Sequence, residues 1–140
     1  MIHLDLDAKD IGKLVKAGRE LSGVEALDKI RDIHFTSNGK LAFTQHFVLS
    51  TAVEINLSAD GNGGLLIDID RLSGSSLLEL PLKPFRDKIT AEIASSTSGI
   101  LVKTGHSQLK LDLKKVIPLD LKIQKISIAE NRLAMDIELD

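Results

Sequence analysis

Residues 41–57 read LAFTQHFVLSTAVEINL. Leu41, Phe43, Phe47, Leu49, Val53, Ile55 and Leu57 all stand at odd positions, with mainly polar or small residues between them. Alternation with period two gives an extended chain one apolar and one polar face, so this segment reads as half-buried antiparallel strand. At roughly 3.3 Å per residue it would span about 55 Å, too long for one straight strand in a small domain. It must bend, or break near Ser50-Thr51 into two pieces. Gln45, Ser50 and Thr51 interrupt the bulky stripe, so the bend is expected between Phe47 and Val53.

The flanks extend the same pattern. Upstream, Ile30, Ile33 and Phe35 lead into Ser37-Asn38-Gly39-Lys40, and Asn-Gly predicts a type I′ hairpin turn with positive φ at both central residues. Downstream, the turn Asp60-Gly61-Asn62-Gly63-Gly64 precedes Leu65, Ile67 and Ile69, again at odd positions. At the start of the chain, Ile2, Leu4 and Leu6 alternate as a short strand. Asp7 stands as an N-cap with Asp10 three residues on, close to a capping box. Ile11, Leu14, Val15, Gly18 and Leu21 follow at helical spacing, predicting a helix over 8–21 ended by Ser22-Gly23. A second helix over 84–97 starts at Pro84, carries Phe85, Ile89 and Ile93 at i, i+4 and i+8, and stops at Ser98-Gly99. Strands are expected at 100–104, 108–114, 119–128 and 132–139, with a β-bulge between Ile123 and Ile126 and a hairpin turn at Glu130-Asn131.

The predicted order is β-α-β-β-β-α-β-β-β-β. Helices followed by runs of strands indicate an α+β domain. We expect a single domain over 1–140, with one strongly bent antiparallel sheet of about seven or eight strands packed on two helices. The expected core comprises Ile11, Leu14, Val15, Phe43, Phe47, Val53, Ile55, Ile67, Phe85, Ile89, Ile93, Leu111, Ile123, Ile126 and Met135. An internal echo accompanies this order. KIRDIHFTSNGKLAF at 29–43 resembles KIQKISIAENRLAM at 122–135, either as a two-half design or as a coincidence of two aliphatic hairpins.

Composition narrows the function. The chain has 140 residues, net charge -2, 43% hydrophobic and 27% charged residues, which is ordinary for a globular domain. It has 23 Leu, 15 Ile and 6 Val against four Phe and no Trp or Tyr, so the core is almost wholly aliphatic. With four Phe as its only aromatics and no net positive charge, no nucleic-acid partner is expected. No cysteine means no disulfide, thiolate metal site or thiol nucleophile. No metal or cofactor is predicted. His3, His34, His46 and His106 lack metal-ligand spacing, although His34 and His46 flank one hairpin and are candidates to approach across it. Asp60-Gly61-Asn62 fails the calcium-loop pattern, because Leu65 stands where the loop needs glycine. Gly61-Asn62-Gly63-Gly64 fails the dinucleotide fingerprint. Asp68 and Asp70 share a strand face about 7 Å apart, a spacing for paired carboxylates, but no apolar pocket that would raise an acid's pKa is evident. The chain therefore reads as non-catalytic.

Charge is uneven. Residues 81–125 carry 9 basic and 4 acidic residues, and Lys110, Lys114 and Lys122 fall on even, polar strand positions with Lys115 and Lys125 nearby. Such a face suits an anionic membrane surface, or simply a solvated sheet whose lysines discourage edge pairing. The opening residues alternate apolar and acidic and carry no targeting or membrane-spanning pattern. The location is left open, the cell envelope included if a leader was removed ahead of Met1.

An amphipathic helix leading into long aliphatic strands, with Ile117-Pro118-Leu119-Asp120-Leu121-Lys122-Ile123, Ile126-Ser127-Ile128 and Glu130-Asn131-Arg132-Leu133 at the end, resembles the tubular lipid-binding (BPI-like) proteins, specifically their small bacterial relatives. That resemblance implies long bent strands wrapped round a helix and an apolar groove for acyl chains. Two short helices are also expected to be too few to cover so large a sheet, leaving apolar surface for a ligand, a partner or a second copy. The expected function is binding of a lipid or other hydrophobic ligand, with the groove lined by Phe43, Phe47, Leu49, Phe85 and Ile89. The alternative is an interaction or assembly module whose apolar sheet face closes a homodimer.

Overall fold

The long alternating segment breaks and folds back on itself. In the computed structural model, which describes residues 1–47, 50–73, 82–111, 113 and 119–139, strand β3 (Leu41–Gln45) pairs antiparallel with β4 (Thr51–Ala59), and Gln45 faces Thr51 at the hairpin end. Both of these polar residues are buried, which explains why the stripe loses its bulky residues there. Gln45 Oε1 accepts a hydrogen bond from the Phe47 amide at 2.8 Å and starts the connection.

Around this hairpin the chain runs β1 (Ile2–Leu6), α1 (Ala8–Ser22), a 3-10 turn (Glu25–Lys29), β2 (Ile30–Phe35), β3, β4, β5 (Leu65–Ser73), α2 (Leu82–Ser96), β6 (Leu101–Lys103), β7 (Gln108–Leu111), β8 (Leu121–Ala129) and β9 (Arg132–Leu139). All pairings are antiparallel, so the α+β class holds. The single sheet does not. The described strands form a six-stranded sheet, β2-β3-β4-β5-β7-β6, and a separate three-stranded sheet, β1-β9-β8. Alternation says which face of a strand is apolar but not which edge it joins. Here the first and last strands pair with each other, and β8 lies against β4 without joining its ladder.

The smaller sheet answers the question of cover. Ile123 and Ile137 stack on Leu65, and Leu133 joins the main core with Val53, Ile55 and Ile69. One apolar face of the six-stranded sheet is thus covered by α2 over β5, β6 and β7, by the small sheet near β4, and by α1 at the β2 edge. A backbone hydrogen bond from Ile123 N to Gly63 O, 2.8 Å long, links the two sheets.

Local signals act as expected at α1. Asp7 Oδ1 accepts from Asp10 N at 2.8 Å, Asp10 Oδ2 accepts from Asp7 N at 3.1 Å, and Gly23 closes the helix at φ 71° with its amide on Arg19 O. That capping holds the Asp7 carboxyl below its ordinary pKa, chiefly through the Asp10 amide. Leu14 departs from expectation. It is 51% exposed, because α1 rests on β2 and the 3-10 turn through a different flank.

The two echo segments form two similar hairpins. Each first strand carries one extra residue, between Arg31 and His34 in β2 and between Ile123 and Lys125 in β8. The bulge lets Ile30, Ile33 and Phe35 reach one side despite their spacing, as it does for Ile123, Ile126 and Ile128. The turn expected at Glu130-Asn131 is present, whereas the one at Asn38-Gly39 is not the expected type I′. Glu130 and Asn131 both have positive φ, 52° and 60°, as a type I′ turn requires. At Asn38-Gly39 only Gly39 does, at 73°. There the turn is widened: Thr36 N donates to Lys40 O at 2.8 Å and Lys40 N donates back to Thr36 Oγ1.

Candidate functional site

The residues expected to line a groove come together as core. Phe43 on β3 and Phe85 and Ile89 on α2 are buried in one cluster with Val53, Ile93 and Leu109. Phe47 sits half-buried at its margin, with Lys29 Nζ 5.5 Å from its ring centroid. Leu49 lies outside the described residues, as do Lys114 and Lys115. The concave face expected between β3 and α2 is therefore filled by the chain itself.

The lysine face divides as well. Lys110 on β7 and Lys122 on β8 belong to different sheets on either side of the 60–64 turn, and Lys125 stands exposed at the β8 bulge. Lys110 Nζ lies 3.0 Å from Asp60 Oδ2, whose side chain is 8% exposed. Asp60 Oδ1 also accepts from the Asn62 and Gly64 amides, at 2.7 and 2.9 Å. These amides, with Lys110, hold the Asp60 carboxyl below its usual range. The Asp-Gly-Asn motif is thus a turn that closes on its own backbone. Asp68 accepts from Gln108 Nε2 at 2.8 Å, while Asp70 pairs with Lys40 at 3.8 Å, so the two carboxylates serve different partners. His34 and His46 do not meet: His34 opposes Ala42, whereas His46 follows Gln45 at the other end of the hairpin and bonds Ser50 Oγ at 2.8 Å. Among the described residues, no three His, Asp or Glu side chains cluster as metal ligands.

A different place is open. Between α1, the 3-10 turn and β2 lies a shallow cleft of about 470 Å³. Its floor is Val15, Leu27, Ile30 and Ile33, all half-buried. Gly12 forms part of the helix wall, and a Cβ added there would meet nothing within 4 Å. Lys16, Arg19 and Arg31 stand on the rim with Asp28 and Asp32. Arg19 Nε is committed to Asp28 Oδ2 at 3.1 Å. Arg31 Nε donates to the Asp28 carbonyl at 3.1 Å, which fixes the guanidinium at the cleft mouth while the side chain stays exposed. The volume falls in the range of small-molecule sites, about 300–1,000 Å³. Sequence reasoning missed this cleft because residues 24–29 carry no clear period, and Gly12 reads only as a weak helix position.

No helix among the described residues is long and apolar enough to cross a membrane. Comparison of the chain with family models, curated proteins and solved structures finds no match in any of the three.

Proposed function

We propose that this is a non-catalytic protein that binds a lipid or other hydrophobic small molecule in the cleft beneath α1. The observation that carries this reading is the cleft's construction: an aliphatic floor of Val15, Leu27, Ile30 and Ile33 at the side of a helix whose wall is left open at Gly12. Burying a ligand's apolar surface there supplies about 25 cal/mol per Å², without any reacting group. The groove moves from the Phe43–Phe85 region to the β2 edge, because the former is packed.

Gly12→Leu tests it. The side chain would occupy the cleft, and replacing a mid-helix glycine should stabilise α1 by up to about 1 kcal/mol. The variant should melt no lower than the wild type and bind the fluorescent acyl probe cis-parinarate at least about tenfold more weakly. Undiminished binding by Gly12→Leu, or no probe binding by the wild type, rejects the reading. Native mass spectrometry on the same samples reports the competing assembly module, which would appear as an apo dimer without affinity for the probe.

A further inference from the structure

We infer that the ligand is a single-chain amphiphile with an anionic head, its charge held at the cleft mouth by Arg31 and Lys16. This rests on the binding reading above and adds the head group to it.

The argument starts at the β2 bulge. The register slips between Arg31 and His34, and Asp32 within it adopts φ 57°. Regular alternation would send Ile30 and Ile33 to opposite sides of the strand. The slip keeps both on the floor and leaves Arg31 at the lip, which is how bulges re-aim side chains. Asp28 then orders the cations. Its carboxylate takes Arg19 and its carbonyl takes Arg31 Nε. The Arg31 terminal nitrogens remain as a planar pair of donors matched to a carboxylate or phosphate. Lys16, exposed on the α1 side of the same cleft, adds a second positive charge. The cleft lining carries Lys16, Arg19 and Arg31 against Asp28 and Asp32, with Asp28 bonded to Arg19, so a positive balance lies beside the aliphatic floor. An apolar ligand without a head would make no use of these cations; an anion without a chain would leave the floor wet.

The experiment is displacement of cis-parinarate from the wild-type protein by oleate and by oleyl alcohol, which share a chain and differ in the head. Oleate should displace the probe about tenfold better, and the preference should shrink at about 1 M salt. Because cis-parinarate is itself a carboxylate, its own affinity is measured for each variant first; in the dissociation constants corrected for it, Arg31→Gln and Lys16→Gln should each weaken oleate several-fold and leave oleyl alcohol unchanged. Both side chains are exposed, so both variants should fold, which thermal melting checks. Equal displacement by the two compounds, or equal weakening of both in Arg31→Gln, overturns the head-group assignment while leaving the binding reading standing. Failure of both compounds to displace the probe, or no probe binding at all, overturns both readings. Displacement by inorganic phosphate as strong as by oleate overturns the amphiphile in favour of a plain anion site.

Discussion

Gly63 lies where the two sheets meet, and Gly63→Ala should show how much that meeting matters. Its φ is +93°, and a Cβ built there would stand 2.7 Å from Lys122 Cγ, 2.9 Å from Lys122 Cβ and 3.2 Å from Lys122 Cα. The Cγ atom could rotate away, but Cβ and Cα are fixed to the β8 backbone. The Ile123 amide, bonded to Gly63 O at 2.8 Å, holds that backbone in place. Two costs therefore add: about 1–2 kcal/mol for an L-residue at positive φ, and about 1–3 kcal/mol for overpacking. Gly61 supplies the control. Its φ is +84° and an added Cβ would meet nothing within 4 Å, so Gly61→Ala carries the first cost without the second. The chain has no Trp or Tyr, so urea unfolding is best followed by far-ultraviolet circular dichroism. Gly63→Ala should be less stable than Gly61→Ala by at least about 1 kcal/mol, or roughly 3 °C in Tm. If the two variants agree to within about 0.5 kcal/mol, the small sheet does not dock on the 60–64 turn as described.

Two further outcomes follow from buried hydrogen bonds. The Asp60 carboxyl has its folded pKa lowered below 3.8, so its contribution to stability is full above the unfolded value and is lost as pH falls through the folded one. Urea midpoints should thus fall more steeply below about pH 4 in the wild type than in Asp60→Asn, and parallel slopes would reject the role of this carboxylate. Thr97, fully buried after α2, donates from Oγ1 to Ile93 O at 2.9 Å and accepts from Leu101 N at 3.3 Å. Thr97→Val should cost about 1–3 kcal/mol and Thr97→Ser much less, as read from thermal melts; equal melting of the two would refute it.

Much of the fold was legible because the signals were local. The odd-position stripe marked β3 and β4, and its polar interruption at Gln45 and Thr51 marked the fold-back between them. Asp7 and Gly23 bounded α1, and the phase slip after Ile123 located the β8 bulge. The matching slip in β2 shows in the same way, in the three-residue step from Ile30 to Ile33. What stayed hidden depends on tertiary choices. Nothing in β1 names β9 as its partner, so the division into two sheets could not be read. Leu14 follows Ile11 at helical spacing, yet α1 leans on the flank that carries Val15. The cleft is a gap left by that lean, and a gap has no residue pattern of its own.

The pairing of β1 with β9 also sets the order in which the molecule can assemble. Ile2 opposes Ile137 and Leu6 opposes Leu133, and the His3–Asp136 contact joins residues 133 positions apart. Hairpins such as β3–β4 and β8–β9 close over a few residues and can form in microseconds, whereas so distant a closure is slow. β1 is made before β9, so it has to wait for its neighbour. Until then Leu4 and Leu6 have no strand beside them, and the β8–β9 hairpin has a bare edge. A chain whose six-stranded sheet forms before β1 docks would present that unpaired edge, where another chain could add a strand by mistake.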